Sequence, residues 1–349
     1  MRIESNNTKI LLSLTASFII IYSLQAAAQL LIPFLLAIFI ALITLKPMFW
    51  LQERKVPGVL AAFLIVIFIM LVLSSIGSIV GSSIVEFTNA LPSYQERLDL
   101  IIDQLMMTST KFLPYIQSDF SLSEMIDTSW VMGLAAMLLN ALRDALTNTL
   151  LIMFTIIFIL LEASSFEIKL SAAFKRKSSS FVRQKAYIDN LGRYLGIKTL
   201  VSMATGITVA IITSWIGLDF PLLWGMFAFL LNYVPTIGSI IAAVPAVLMA
   251  LVQLSVGDAL TTAIAFFFIN LVFGSFIEPR LLGYGVGLSP LVVFIGLFFW
   301  GWIFGPVGMI LSVPLTMALK MGLESDKETE WLAILIGSET DAIHKMELK

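Results

Sequence analysis

Cysteine is absent from this chain of 349 residues, and histidine occurs once, at His344 in a polar tail. The absence of cysteine excludes disulfides, thiol nucleophiles and cysteine-ligated metals. A lone histidine leaves no histidine relay. Charged residues are also scarce, at 13% of the chain against about 25% in soluble domains, and no basic stripe indicates nucleic-acid binding. We therefore predict no enzyme activity, no metal, no cofactor and no nucleic-acid partner.

Long hydrophobic runs fill most of the chain, and 59% of its residues are hydrophobic. About 20 apolar residues span a bilayer. Eight segments reach or approach that length, so we predict an all-α polytopic membrane protein with about eight transmembrane segments, some broken or re-entrant. The predicted segments are 10–26, 30–45, 59–85, 145–161, 199–216, 222–254, 259–277 and 291–319.

Charge patterning between these runs predicts the membrane orientation. Residues 86–144 hold eight acidic and three basic residues, whereas 164–198 hold eight basic and two acidic ones. Basic loops face the cytoplasm, so we expect both termini there. The predicted regions are N-terminal transmembrane helices (1–85), a polar helical extracytoplasmic insert (86–144), a transmembrane helix (145–163), a basic cytoplasmic segment (164–198), a C-terminal transmembrane core (199–320) and a cytoplasmic tail (321–349).

The insert carries its own helix signals. Apolar residues recur at helical spacing from Leu98, and Ser93-x-x-Glu96 has the pattern of a capping box. We therefore predict that an amphipathic helix of the insert begins near Ser93.

Segment 222–254 is too long for one straight span. Its 33 residues would extend about 50 Å as a helix, against a hydrocarbon core of ~30 Å. Pro235 and Pro245 interrupt it, so the segment is either one kinked span or a re-entrant hairpin. A hairpin would reverse the side of the membrane predicted for Glu278, farther along the chain.

Polar residues inside this apolar region are candidate solute contacts. Asn232, Tyr233, Pro235 and Gly238 bring an amide, a hydroxyl and unpaired carbonyls together at a kink. Asn270 lies in the next apolar run. The simpler alternative is that Asn232 and Asn270 only hydrogen-bond between helices, at under about 2 kcal/mol each.

The triplet Glu278-Pro279-Arg280 stands between two apolar runs. Such charge costs at least ~2.5–3.5 kcal/mol per residue on insertion scales. Broken helices with Gly and Pro interruptions are typical of transporter sites, so Glu278 and Arg280 are candidate gating or coupling groups. A solvated loop or a structural ion pair is the alternative. Glu162, at the end of another span, is a further candidate coupling group.

Three long stretches closely resemble the autoinducer-2 exporter family. They are LLWGMFAFLLNYVPTIGS, LVFGSFIEPRLLG and GLSPLVVFIGLFFWGWIFGPVGMILSVPLT. The resemblance implies a multispan inner-membrane permease that exports autoinducer-2, a small hydroxyl-rich signal, and that forms homo-oligomers, with a pentamer as one form. The positions matching the family motifs are Asn232, Pro235, Gly238, Glu278, Pro279, Arg280, Gly287, Gly305, Pro306 and Pro314.

Three functions fit these observations. The first is export of autoinducer-2 or a similar small polar metabolite through the lipid bilayer. The second is sodium(lithium)/proton antiport, as in some relatives, with Glu278 and Glu162 exchanging protons. The third is a non-transporting membrane scaffold whose insert contacts other proteins. The candidate residues for substrate binding or gating are Asn232, Tyr233, Pro235, Gly238, Asn270, Glu278, Pro279 and Arg280.

Overall fold

The computed structural model describes residues 2–112, 148–173, 179–235, 237–282, 287–326, 328–339 and 343. These residues are almost entirely helical, which confirms the predicted all-α class. Their helices are α1 (Arg2–Ala26), α2 (Ala28–Glu53), α3 (Gly58–Phe112), α4 (Thr149–Ala173), α5 (Ser179–Ile216), α6 (Pro221–Leu231), α7 (Ile237–Gln253), α8 (Val256–Asn270), a π-helix (Leu271–Ile277), α9 (Glu278–Leu282), α10 (Pro290–Ile310), α11 (Ser312–Glu324) and α12 (Glu330–Ile336).

Five helical stretches of the described chain are long and apolar enough to cross a membrane. Four shorter apolar helices accompany them. Large apolar side chains along the first half of α3 are exposed, as a lipid-facing surface requires, with Phe68 63% exposed. The polytopic membrane class is therefore confirmed. The long stretches are Ala28–Glu53, Gly58–Ser83, Ala186–Ile216, Val256–Leu282 and Pro290–Ile310.

The chain divides into two compact units, each formed by separate stretches of sequence. The first unit comprises residues 1–66, 148–196 and 284–349, and within it α2 packs along α4. The second unit comprises residues 67–147 and 197–283. Its core is built from apolar side chains of α6, α7 and α8, among them Trp224, Ala246 and Phe266.

Helix α3 runs unbroken for 55 residues, from the apolar span into the polar insert. The predicted helix start near Ser93 is therefore wrong. A capping box supplies hydrogen-bond partners where a helix begins, but here the preceding turns already provide the backbone carbonyls. The rest of the predicted insert, residues 113–144, lies outside the described residues.

Segment 222–254 is a helical hairpin, here called the first hairpin, in which α6 and α7 pack against each other. At its base, Gln253 Nε2 donates to the carbonyl of Gly217 at 3.2 Å, and Gln253 Oε1 accepts from the Asp219 amide at 2.9 Å. A straight helix would separate these positions by about 50 Å. The chain thus enters and leaves the hairpin at one end, the geometry that the re-entrant alternative predicts.

A close helix crossing holds the first hairpin against α5. A Cβ on Gly206 would lie 2.6 Å from the Gly225 carbonyl oxygen, and a Cβ on Gly225 would lie 2.6 Å from that of Gly206. Only glycine fits at both positions. Small residues let membrane helices approach closely and gain dispersion contacts.

The last apolar segment also folds back, which corrects the prediction of a single final span at 291–319. Helix α10 breaks at Gly305 (φ 61°, ψ −147°), a backbone conformation that favours glycine. Helix α11 then returns along α10, and we call this pair the second hairpin. Trp300 Nε1 donates to Thr316 Oγ1 at 3.0 Å, and Lys320 Nζ donates to the Gly287 carbonyl at 2.7 Å.

Candidate functional site

The tip of the first hairpin is a tight turn between α6 and α7. Asn232, Tyr233 and Val234 are buried there, although the first two carry polar side chains. A Cβ on Gly238 would lie 1.8 Å from the Leu231 carbonyl oxygen, so a larger residue would force the two helices apart. Pro235 has no backbone N–H to donate, and its carbonyl accepts from the Ile237 amide at 2.6 Å. This turn chemistry places an amide and a phenol at the deepest point of the hairpin.

Both polar side chains of the tip bond to α5. Asn232 Nδ2 donates to Ser202 Oγ at 2.9 Å, and the Tyr233 hydroxyl donates to Thr199 Oγ1 at 2.8 Å. Ser202 is completely buried. Residues three apart on a helix share a face, so Thr199 and Ser202 form one polar strip on α5 beneath the tip.

The same strip carries a buried ion pair. Lys198 Nζ donates to both carboxylate oxygens of Glu278, at 2.7 and 2.8 Å. The side chains of Lys198 and Glu278 are only 6% and 15% exposed. A carboxylate is satisfied by such paired, charge-assisted hydrogen bonds. Glu278 is therefore held by α5, eighty positions earlier in the chain.

A widened helical turn presents Glu278 to this lysine. The π-helix Leu271–Ile277 precedes it, and the Glu278 amide donates to the Phe273 carbonyl, five residues back. Pro279 follows and has no amide to donate. π-helical turns occur mostly within α-helices and frequently at functional sites. The irregular backbone thus lies where the buried charge is placed.

Asn270 connects the π-helix to the hairpin. Its Oδ1 accepts from the Ser239 hydroxyl at 2.7 Å, which ties the end of α8 to the first turn of α7. Gly274 lies beneath this contact, since a Cβ there would be 3.0 Å from Asn270 Oδ1. Asn270 therefore forms the interhelical bond that the simpler interpretation predicted for it, beside the tip.

The structure brings most of the predicted residues together in the second unit. Pro279 and Arg280 are exposed, and Arg280 forms no ion pair with any described residue. The Glu278 carboxylate faces Lys198 on α5 instead. Glu162 lies apart, in the first unit, where its exposed carboxylate pairs with Lys169. The predicted residues near the tip are Asn232, Tyr233, Pro235, Gly238, Asn270 and Glu278.

Sequence reasoning missed the α5 residues Lys198, Thr199 and Ser202. Lys198 was counted among the basic residues that mark the cytoplasmic side, and the predicted span began one residue later. One signal was available, because a lysine within a turn of an apolar run needs a counter-charge. We call Lys198, Thr199, Ser202, Asn232, Tyr233 and Glu278 the hairpin-tip site.

The energetics of the ion pair make it unlike a surface salt bridge. Burial costs each ion several kcal/mol, and the attraction between them offsets that cost only if both partners remain. Removing one partner of such a pair destabilises a protein by about 3–5 kcal/mol. The site therefore holds two charges that depend on each other and a set of neutral hydrogen-bonding groups beside them.

A family model described as "AI-2E family transporter" matches residues 10–325 of the chain. The AI-2 transport protein TqsA of Escherichia coli is 36% identical over 338 residues, covering 96% of this chain and 97% of that protein. A putative transport protein of Haemophilus influenzae is 36% identical over 346 residues, covering 98% and 99%. The putative transport protein YhhT of Escherichia coli is 32% identical over 337 residues, covering 96% and 95%.

Proposed function

We propose that this chain, which belongs to the AI-2E family of transporters, is an inner-membrane permease that exports autoinducer-2 or a similar small polar metabolite. The observation that carries the proposal is the hairpin-tip site. It gathers an amide, a phenol, two hydroxyls and an ion pair among membrane-spanning helices, where polar groups are costly and mark transport pathways.

The chemistry of the site supports a hydroxyl-rich solute. Serine, threonine and tyrosine hydroxyls both donate and accept, and an asparagine amide does the same through separate atoms. A solute with several hydroxyls can replace the bonds of Asn232 to Ser202 and of Tyr233 to Thr199 one for one. The name of TqsA gives AI-2 as what that relative transports, and we extend this substrate to the present chain.

The hairpin changes the proposed orientation of the site. With the basic segment 164–198 in the cytoplasm, α5 crosses outward, the first hairpin returns to the outer side, and α8 crosses back. Glu278 then lies on the cytoplasmic side, the reverse of the side expected for a single kinked span. Its bond to Lys198, at the end of the basic segment, supports this orientation.

Flux through purified protein in vesicles tests the substrate. Vesicles loaded with autoinducer-2 should release it faster with the chain than without it. Asn232→Ala removes a proposed solute contact and leaves the buried Ser202 hydroxyl without its partner, so we expect release to slow about tenfold. Asn190→Ala is the matched control, an exposed asparagine on the same helix as Ser202. Equal release with and without protein would refute export.

The same vesicles separate the antiport alternative. Addition of sodium should collapse a pH gradient across these vesicles if the chain is a cation/proton antiporter. Loss of that effect in Glu278→Gln would identify the antiporter. The homo-oligomer implied by the family resemblance belongs to the proposal as well, and crosslinking in native membranes tests it.

A further inference from the structure

Ionic groups are sparse in the part of the chain that forms the site. Residues 197–282 contain five charged residues: Lys198, Asp219, Asp258, Glu278 and Arg280. Asp219 precedes α6 and Asp258 lies in the first turn of α8, so both are at the base of the first hairpin, away from its tip. Arg280 is exposed. Of these five charged residues, the two at the tip are one lysine and one glutamate, which cancel.

The bonding of the two charges also suits a ligand that is itself uncharged. An ammonium has three donors, and within the described chain Lys198 directs its side-chain bonds to the two oxygens of Glu278. A carboxylate only accepts hydrogen bonds. A 1,2-diol entering here would donate one hydroxyl to Glu278 and accept at the other from Lys198, so both ions would stay satisfied.

A charged ligand of the same size would not be satisfied in this way. An anion attracted to the Lys198 ammonium would meet the Glu278 carboxylate, whose oxygens lie 2.7 and 2.8 Å from Nζ, and a cation attracted to Glu278 would meet the ammonium. Like charges brought together in this way at a desolvated site cost several kcal/mol. Specificity arises as much from such repulsion as from attraction. The pair therefore rejects both signs of charge.

We propose that Lys198 and Glu278 form a charge-neutral selectivity pair in the hairpin-tip site, which admits uncharged polyhydroxylated solutes and excludes anions and cations of equal size. The inference rests on the proposed transport function and adds to it the chemical class of the solute and the two residues that select it.

A set of matched solutes tests the pair. Ribitol, ribonate and 1-amino-1-deoxyribitol share a five-carbon hydroxylated chain and differ in charge. Their fluxes are measured in vesicles carrying the full chain, with autoinducer-2 release followed in the same preparation. We expect the unmodified chain to pass ribitol at least ~10-fold faster than either charged solute, since each like-charge approach costs several kcal/mol.

Neutralising one residue of the pair should make the chain prefer a charged solute over ribitol. Glu278→Gln leaves the ammonium uncompensated and should favour ribonate, whereas Lys198→Gln leaves the carboxylate and should favour the amine. The charge-swapped variant, Lys198→Glu with Glu278→Lys, should return the preference to ribitol. Arg193→Gln is the control, an exposed basic residue on the same helix, and should leave the flux ratios unchanged. Size-exclusion profiles verify that each variant is folded.

The outcomes separate this inference from the proposed substrate. Folded single variants that keep the preference for ribitol would overturn the selectivity pair, as would an unmodified chain that passes the three solutes equally. If the vesicles retain autoinducer-2 but pass ribitol faster than the charged solutes, the proposed substrate is refuted and the selectivity pair is still supported. A charge-swapped variant that is folded but prefers a charged solute would also overturn the pair.

Discussion

Each of the two hairpins packs one helix back along another, and a buried lysine in or beside each plays a different role. Beside the first hairpin, Lys198 of α5 and Glu278 of α9 reach each other only through tertiary packing. In the second, Lys320 donates to the carbonyl of Gly287 and lies 3.9 Å from Glu324, one turn along its own helix. Lys320 thus joins the two ends of its hairpin, a structural task. Lys198 joins no hairpin ends, and its partner is the carboxylate of Glu278 on another helix.

Substitution of the glycine at the closest helix contact of each hairpin should have the largest effect on stability. Gly238→Ala in the first hairpin and Gly308→Ala in the second should each lower the free energy of unfolding by about 3 kcal/mol or more, the upper end for over-packed sites. The added Cβ would lie 1.8 Å from the Leu231 oxygen and 1.9 Å from the Trp300 oxygen respectively. Thermal denaturation in detergent measures both.

Gly196→Ala is the control for these variants. A Cβ at Gly196 has nothing within 4 Å, and alanine is better than glycine inside a helix, so this change should stabilise the protein by about 0.5–1 kcal/mol. Equal melting temperatures for Gly238→Ala and Gly196→Ala would mean that the first hairpin is not closed at Gly238.

Removing each lysine should distinguish the two hairpins. Lys198→Met strands a buried carboxylate, and we expect a loss of about 3–5 kcal/mol. Lys320→Met leaves the Gly287 carbonyl without its ammonium donor, whereas the nearby Glu324 carboxylate keeps the hydrogen bond from the Tyr187 hydroxyl, so we expect a smaller loss of about 1–3 kcal/mol. Adding Glu278→Leu to Lys198→Met should recover most of the first loss, because an apolar pair often replaces a buried ion pair without cost. A double variant as unstable as Lys198→Met would contradict a paired interaction.

The tip and the base of the first hairpin should respond differently to the loss of one hydroxyl. Tyr233→Phe removes the bond to Thr199 at the tip and should cost about 0.5–1.5 kcal/mol and slow solute flux. Tyr94→Phe removes the bond to Asp219 at the base, and Tyr94 is not part of the hairpin-tip site. Tyr94→Phe should leave flux unchanged. Measuring both stability and solute flux for the two variants checks whether the solute binds at the tip. Flux lost equally in both would show that the tip has no special role.

A pH titration gives the smallest expected effect. Burial, together with the hydrogen bond to Asp219 and its negative charge, raises the pKa of Tyr94 above its ordinary value of 10.0. The folded state then retains this proton more strongly than the unfolded state, so stability is constant below about pH 10 and falls as the pH rises further. Tyr94→Phe should abolish that part of the alkaline loss in melting curves recorded from pH 8 upward. An unchanged alkaline slope would contradict it.

Particular residues show how far the sequence predicts this site. Asn232, Tyr233, Pro235 and Gly238 stand out because polar, proline and glycine residues are conspicuous in an apolar run, and the structure places them at one turn. Glu278 stands out for the same reason. That Asn232, Tyr233 and Glu278 all bond to side chains of α5 was not predictable, because these contacts join positions up to eighty residues apart.

The hydrophobic pattern of the sequence alone could not predict the two hairpins. A kinked span and a folded-back pair of half-helices have the same hydrophobic periodicity, so segment 222–254 fitted both. Gln253 decides between them only through its contacts with Gly217 and Asp219. Lys198 was missed for another reason, since basic residues beside a span are read as markers of the cytoplasmic side.

The membrane sides of Val256 and Leu281 test the central claim, that 221–253 is a re-entrant hairpin delivering Glu278 to Lys198. Both residues are exposed, at 67% and 47%, and they flank the helical stretch from α8 to α9. Because the chain contains no cysteine, Val256→Cys and Leu281→Cys each provide a single labelling site for an impermeant maleimide. The account predicts labelling of Cys at 256 in intact cells, and at 281 only after permeabilisation. The reverse pattern would show that the segment crosses the membrane once and would contradict the account.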